Sequence, residues 1–306
     1  MNFASVYSKS CAGAFSYSGK YITKRLLESG EEVITLTNHP NRPDPFDGKV
    51  KAFPLNFDNK DGIIQTLRGV DVLVNTYWVR FDKGGNTQPK AVENTIILVG
   101  AAAEAGVKRI VHISITNPSA DSHLPYFWGK AANEKAVIDS GMGYVTLRPT
   151  VLFGKEDILI NNIAWLLGSF PIFGLPGSGS YKLSPVYVDD LANLAVEAVY
   201  KKENYIWDAV GPDQITFKEM VDIIGETIGK KRLLIPLPPS LALFAVQFMS
   251  LFVNDVMLTP EEVDGLMSNL LLSKEPPRCK TSLRKWLKET QETVGKYYAS
   301  ELARHY

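Results

Sequence analysis

Hydrophobic positions in the first half of the chain follow two periods in alternation. Short runs rich in β-branched residues, at 33–36, 50–53, 71–75, 109–113 and 144–147, read as strands. Between them, at 17–29, 91–105 and 127–139, apolar residues return every three or four positions, the spacing of a helix with one buried face. These helical stretches close near Gly30, Gly106 and Gly141, residues suited to the left-handed turn after a helix. The run at 71–75 is apolar on both sides of the alternation, as a strand covered on both faces must be. The repeated order strand, helix, glycine, strand predicts an α/β protein with a Rossmann-type, doubly wound parallel sheet.

Beyond Pro149 the alternation loosens. Residues 168–184 form a loop rich in glycine and proline, and helices are expected to start at Asp189, Phe217 and Thr259. Thr259-Pro260-Glu261-Glu262 supplies a capping hydroxyl, a proline at the first helical position and acids in the first turn. The expected division is therefore a Rossmann domain over 1–154 and a smaller, mainly helical substrate-side subdomain over 155–306. Residues 240–253 carry no charge and are too few to span a bilayer. A buried helix or the wall of an apolar pocket is the expectation for them, with a helix lying on a membrane surface as the alternative. Residues 282–306 read as a helix anchored by Trp286 and Leu287.

Composition narrows the function classes. Across 306 residues, 33 basic and 33 acidic side chains cancel, so no global field attracts nucleic acid. Two cysteines, Cys11 and Cys279, make no disulfide framework and read as free thiols. The start of the chain lacks the apolar run of a signal peptide, and a cytoplasmic location is expected. The four histidines show no metal-ligand spacing, and no metal is expected. His112 reads as a satisfied sheet residue.

Gly13-Ala14-Phe15-Ser16-Tyr17-Ser18-Gly19 stands where a first strand hands over to a helix, the place where backbone N–H groups meet a pyrophosphate. Gly13 permits the tight turn, Gly19 permits helix to pack on strand, and Ser16 takes the place of a middle glycine. The run before the turn, Ser5 to Cys11, is polar for a central strand, and Lys9 is its most awkward member. After the second strand, Thr37-Asn38-His39 offers no carboxylate to a ribose 2′-hydroxyl, and Arg42 follows. That arrangement favours NADP over NAD.

Tyr126 and Lys130 lie four apart, one turn along the same helix face. Composition alone yields about one such pair, so context decides, and Ser114 closes the fifth strand twelve residues earlier. All three fall at the carboxyl ends of the strands, where open α/β sheets bind ligands. A phenol with a reference pKa of ~10 becomes a usable acid or base beside an ammonium. In this scheme Tyr126 exchanges the proton, Lys130 holds the nicotinamide ribose and Ser114 bonds the substrate oxygen. The alternative makes Tyr126 a lid residue and leaves Lys130 to the ribose alone. Trp78 and Arg80, after the fourth strand, are candidates for substrate contact.

These segments, with residues 105–114, Leu147-Arg148-Pro149-Thr150-Val151-Leu152-Phe153-Gly154 and Val186-Tyr187-Val188-Asp189-Asp190-Leu191-Ala192, resemble the atypical or extended short-chain dehydrogenase/reductase superfamily over nearly the whole length. Within it the chain is most similar to the branch holding the nucleotide-binding accessory subunit of respiratory complex I and NmrA-type redox sensors. The resemblance implies that Pro149, Thr150 and Val151 line the nicotinamide, that Asp58 meets the adenine side, that Asn75, Thr76 and Tyr77 lie near the ribose, and that Phe153 faces substrate. It implies an NADP-preferring oxidoreductase acting on a small or apolar carbonyl, alcohol or activated alkene. Two alternatives stay open: a non-catalytic NAD(P)H-binding sensor or accessory subunit, and a nucleotide-sugar epimerase or dehydratase.

Overall fold

A computed structural model describes residues 8–39 and 43–302 of the chain. Strand β1 (Ser8–Ala12) turns at Gly13 into α1 (Tyr17–Glu28), followed by β2 (Glu32–Thr37), β3 (Lys51–Pro54), α2 (Lys60–Leu67) and β4 (Val70–Asn75). Helix α3 (Gln88–Ala105), β5 (Arg109–Ile113), α4 (Pro125–Asp139) and β6 (Gly143–Pro149) continue the alternation. Thr87 caps α3 at one end, and Gly106, at φ 86°, closes it at the other. Helix α2 is absent from the sequence-based expectation. Its signals are short but present: Asn59 accepts from the Gly62 N–H as N-cap, and Ile63, Ile64 and Leu67 share the buried face.

The next segment holds β7 (Leu152–Phe153), α5 (Leu159–Ser169), β8 (Ile172–Pro176), β9 (Lys182–Leu183) and β10 (Val186–Tyr187). Helix α6 (Val188–Val199) and β11 (Tyr205–Ala209) precede β12 (Ile215–Thr216), α7 (Phe217–Thr227), β13 (Leu233–Leu237), α8 (Pro239–Val253), α9 (Pro260–Met267) and α10 (Leu283–Thr290).

The main sheet has seven strands in the order β11-β6-β5-β4-β1-β2-β3, every neighbouring pair parallel. It is a Rossmann-like α/β sheet, and the order reverses at β1, so the carboxyl ends of β1 and β4 flank the crevice where such sheets take ligands. One face is sealed by Leu73, Ile110, Leu98, Ala102 and Val137, from the sheet, α3 and α4. Helices α1 and α6 pack on each other, joined by the Arg25 guanidinium forked onto the Asp189 carboxylate.

Two compact units emerge, and their boundary differs from the expected one. The first comprises the described residues through Pro149 together with Val188–Ala209, and the second comprises Thr150–Tyr187 and the residues from Val210 onward. Chain between 150 and 187 therefore interrupts a sheet that is completed only by β11. In the second unit, Phe153, Ile160, Leu175, Met220, Ile224, Leu283, Trp286 and Leu287 make a core of their own. The closing segment is not one helix: α10 stops at Thr290, although Trp286 and Leu287 are buried as anchors. Helix α8 departs furthest from expectation, because Leu241, Phe244, Phe248 and Phe252 face solvent and, among its described side chains, only Ala242 is buried. No described helix is long and apolar enough to cross a membrane.

The polar first strand is central despite its composition. Residues 5–7 lie outside the described part, but β1 pairs in register with β2 along its length and with β4 from Lys9 onward, after a register shift between Ser8 and Lys9. Cys11 and Ala12 are wholly buried, and Lys9, also buried, reaches Glu31 at 3.7 Å. Glu31 accepts in addition from the Tyr200 hydroxyl at 2.5 Å. Removing the carboxylate leaves a buried ammonium without that counter-charge, so Glu31→Ala is expected to cost about 2 kcal/mol in denaturant unfolding. Adding Lys9→Met should recover most of that loss; an undiminished loss in the double variant would show that the pair does not stabilise β1.

Candidate functional site

The turn after β1 is set by close approach. Gly13 holds φ 89°, and a Cβ built on Gly19 would stand 2.0 Å from the Gly13 carbonyl oxygen, so neither position accepts a side chain without displacement. Ser16 is the N-cap of α1, its Oγ accepting from the Gly19 N–H at 3.3 Å and lying 3.3 Å from Thr76 Oγ1. From below, Thr35 Oγ1 donates to the Cys11 carbonyl at 2.7 Å and accepts from the Ala14 N–H at 3.1 Å. Thr76 Oγ1 donates to the Ala12 carbonyl at 2.7 Å, joining the ends of β1 and β4. Phe15, Tyr17 and Ser18 are half-buried around this turn, with Phe15 tilted against Phe46. The positive end of α1 thus opens at the reversal point of the sheet, a cradle suited to a diphosphate.

The candidate catalytic trio is assembled by α4 and the end of β5. Helix α4 is held to the sheet by Arg148, which forks onto the buried Glu134 carboxylate at 2.9 and 2.6 Å. Lys130, one turn before Glu134, is almost wholly buried and donates to the Ile113 carbonyl at 3.0 Å. Its ammonium sits 4.6 Å from the Trp78 ring centre and 5.9 Å from that of Tyr126. Trp78 and Tyr126 meet edge to face at 5.4 Å. Glycine at 129 permits this, since a Cβ there would come within 2.6 Å of the indole. Burial pushes the Lys130 amine down to about 7, against the opposing pull of Glu134.

Ser114 Oγ and Trp78 Nε1 are buried and have no hydrogen-bond partner among the described residues. Register places Asn75, His112 and Thr146 side by side on β4, β5 and β6. Asn75 Oδ1 accepts from the Tyr77 N–H at 3.0 Å, which leaves its amide nitrogen, 3.1 Å from His112 Nδ1, as the donor. The imidazole proton then resides on Nε2, and burial with the nearby Lys130 charge drives His112 down to about 3, keeping it neutral. That Nε2, Thr146 Oγ1 and both side-chain atoms of Asn133 also have no partner among the described residues. His112 therefore differs from the satisfied sheet residue expected, and Asn133 and Thr146 have no part in the sequence-based expectation. Their signal was the alternation that puts His112 and Ser114 on one face of β5.

Other expected positions divide sharply. Tyr77 is half-buried, tilted against Phe57 and accepting from the Asn94 amide at 2.9 Å. Asn75 spends both ends of its amide inside the protein, so its role is to shape the chain after β4. Asn38 and Asp58 are exposed, Arg80 is half-buried beside Phe81, and Arg42 lies outside the described residues. Pro149 accepts from the Thr116 N–H at 2.9 Å at the end of the first unit. Thr150 and Val151 belong to the second unit, where Thr150 Oγ1 donates to the Ser184 carbonyl and the Val151 carbonyl accepts from Val186 N–H. Phe153, expected to face substrate, is instead sealed in the core of that unit between Tyr187 and Trp286. Alternation along a two-residue strand turned it inward.

Comparison with known proteins agrees with this geometry. Residues 13–162 match the family model described as NAD(P)H-binding. The mitochondrial NADH dehydrogenase (ubiquinone) 1 alpha subcomplex subunit 9 of Arabidopsis thaliana is 24% identical over 281 residues, covering 85% of this chain and 70% of that protein. Its mouse namesake is 28% identical over 200 residues, 61% of this chain, and the match spans only 51% of the mouse protein. Among solved structures, the NADPH-dependent quinone oxidoreductase of Escherichia coli in complex with NADPH superposes with a TM-score of 0.75 at 17% identity, over 92% of this chain and 99% of that one. The last likeness bears on fold alone.

A dinucleotide fits the residues present: the glycine turn accepts a close ligand, and Ser114 Oγ offers a buried polar atom at the strand end. Gly19→Ala is expected to lower stability by about 2–4 kcal/mol and to abolish NAD(P)H binding, read by thermal unfolding with and without cofactor. Lys130 carries a second expectation. Its folded pKa lies below the unfolded one, so between about 7 and 10.5 the unfolded chain binds the extra proton and stability rises with pH. Lys130→Met should therefore raise Tm most below pH 7, with the gain shrinking toward pH 10; a gain independent of pH would mean that burial does not lower the Lys130 pKa.

Proposed function

We propose that this chain, whose residues 13–162 match the family model described as NAD(P)H-binding, is an NADPH-preferring oxidoreductase that reduces a small or apolar carbonyl compound or activated alkene. The observation that carries this reading is Lys130, bonded to the Ile113 carbonyl next to Ser114 and 5.9 Å from the Tyr126 ring centre, with Ser114 Oγ buried and unpartnered among the described residues. A bound dihydronicotinamide would supply the hydride. For a carbonyl, Ser114 would donate a hydrogen bond to its oxygen, and the Tyr126 hydroxyl would deliver the proton that balances the hydride. Lys130, held by the Ile113 carbonyl, would favour the resulting phenolate by its charge. Trp78, packed against both Tyr126 and Lys130, would form an aromatic wall of the substrate space. Support for NADPH comes from the end of β2, where Thr37, Asn38 and His39 bring no carboxylate toward a 2′-phosphate, and where the Asp44 carboxylate accepts from Phe46 and Gly48 of its own loop.

A second reading, an NAD(P)H-binding accessory subunit or sensor without turnover, draws on the same Trp78. Its indole lies over the Lys130 ammonium, so a ribose could engage that ammonium only by sharing or displacing the ring. The named subunits among the relatives are consistent with such a role. Titration of nicotinamide fluorescence should give a Kd for NADPH at least tenfold below that for NADH, about 1.4 kcal/mol. Tyr126→Phe should cut kcat about 100-fold or more on a panel of aldehydes, ketones and quinones while leaving the NADPH Kd within about threefold. Saturable NADPH binding without oxidation on any substrate would overturn the oxidoreductase reading and leave the accessory one.

A further inference from the structure

Helix α8 has the surface of a segment that belongs in an apolar medium. Leu241, Phe244, Phe248 and Phe252 are 50%, 66%, 54% and 76% exposed. At ~100° per residue their spacing gathers them on an arc of about 80°, a single stripe along the outer side of the helix. No residue from Pro239 to Val253 is charged. A monomer in water does not hold such a stripe without cost.

The ends of the helix restrict how it can be covered. Before it, β13 is paired with β8. After it, Asp255 is fastened by the Tyr298 hydroxyl at 2.8 Å and by the N–H groups of Glu301 and Leu302 at 2.8 and 2.9 Å. Tethered at both ends, fifteen residues rise only ~22 Å, short of the ~30 Å of a bilayer core. Helix α8 can lie along a membrane but cannot cross one.

Charge selects among the occupants. Lys230, Lys231 and Arg232 lead directly into β13, whose exposed Leu233 stands in register beside exposed Ile172 of β8. Lys231 shares Glu226 at 2.9 Å and Arg232 donates to the Leu167 carbonyl at 2.7 Å, while Lys230 is exposed. A cationic run at the head of the strand that leads into an uncharged aromatic helix complements anionic headgroups above acyl chains. A second copy would bring two such runs to one interface, with no acid on α8 or β13 to answer them.

We propose that α8 docks the protein on an anionic lipid bilayer, with Leu241, Phe244, Phe248 and Phe252 entering the interface and Lys230 and Lys231 meeting lipid phosphates. The proposal is independent of the cofactor chemistry. Flotation of the full chain with vesicles tests it, comparing phosphatidylcholine alone with phosphatidylcholine carrying about 30% phosphatidylglycerol. Binding to the anionic vesicles is expected to be at least tenfold stronger and to weaken several-fold in ~0.5 M salt. Phe244→Ser/Phe248→Ser/Phe252→Ser should abolish it, and Lys230→Glu/Lys231→Glu should reduce it about tenfold or more at low salt. An unchanged thermal unfolding midpoint verifies folding of each variant. Vesicle binding that survives the triple serine change would overturn the proposal. So would a concentration-dependent dimer lost in the triple variant without vesicle binding, and so would a monomer that floats with neither vesicle.

Discussion

A glycine carbonyl and a glycine α-carbon govern the first unit. Gly13 and Gly19 approach so closely that a methyl on the second would overlap the oxygen of the first, and this contact sets how α1 leaves β1. A parallel sheet depends on such hand-overs, because each strand must be followed by a crossover helix packed on its face. Ser16, Thr35 and Thr76 bind the turn, tying α1, β2 and β4 to the end of β1 through the Cys11 and Ala12 carbonyls and the Ala14 N–H. The crevice at the sheet's reversal point follows from that arrangement.

Much of this was legible in the chain, for identifiable reasons. Strands β4 and β5 are buried along almost their whole length because helices cover both faces, and helix ends at Gly106 and Gly141 announce themselves through residues that accept positive φ. The first strand misled because Lys9 is compatible with burial only when Glu31, fixed by tertiary structure, comes near. Helix α2 was overlooked because eight residues offer barely two turns of periodicity. Strand β11 escaped because its aromatic and polar residues fit an edge as well as a loop, and its place beside β6 is set by long-range pairing.

Site chemistry was partly readable. Spacing put Tyr126 and Lys130 on one helix face, but it could not show that Trp78 stacks on the ammonium or that Glu134 and Arg148 hold the helix in place. Phe153 and α8 failed in opposite directions: a residue expected at a ligand is interior, and a helix expected to be interior is bare. Hydrophobicity gives the wish to leave water and says nothing about what does the covering.

The interruption of the first unit has a consequence during synthesis. When the ribosome has emitted β6, the sheet still lacks the strand that covers β6's outer edge, and some sixty residues of other structure must emerge before β11 arrives. At ~5–20 residues per second that interval lasts about 3–12 s. Throughout it β6 displays unpaired backbone groups flanked by Val145 and Leu147, a template for the wrong partner. The nascent chain thus passes through a window in which a chaperone, or the speed of elongation, decides whether the sheet closes on its own last strand.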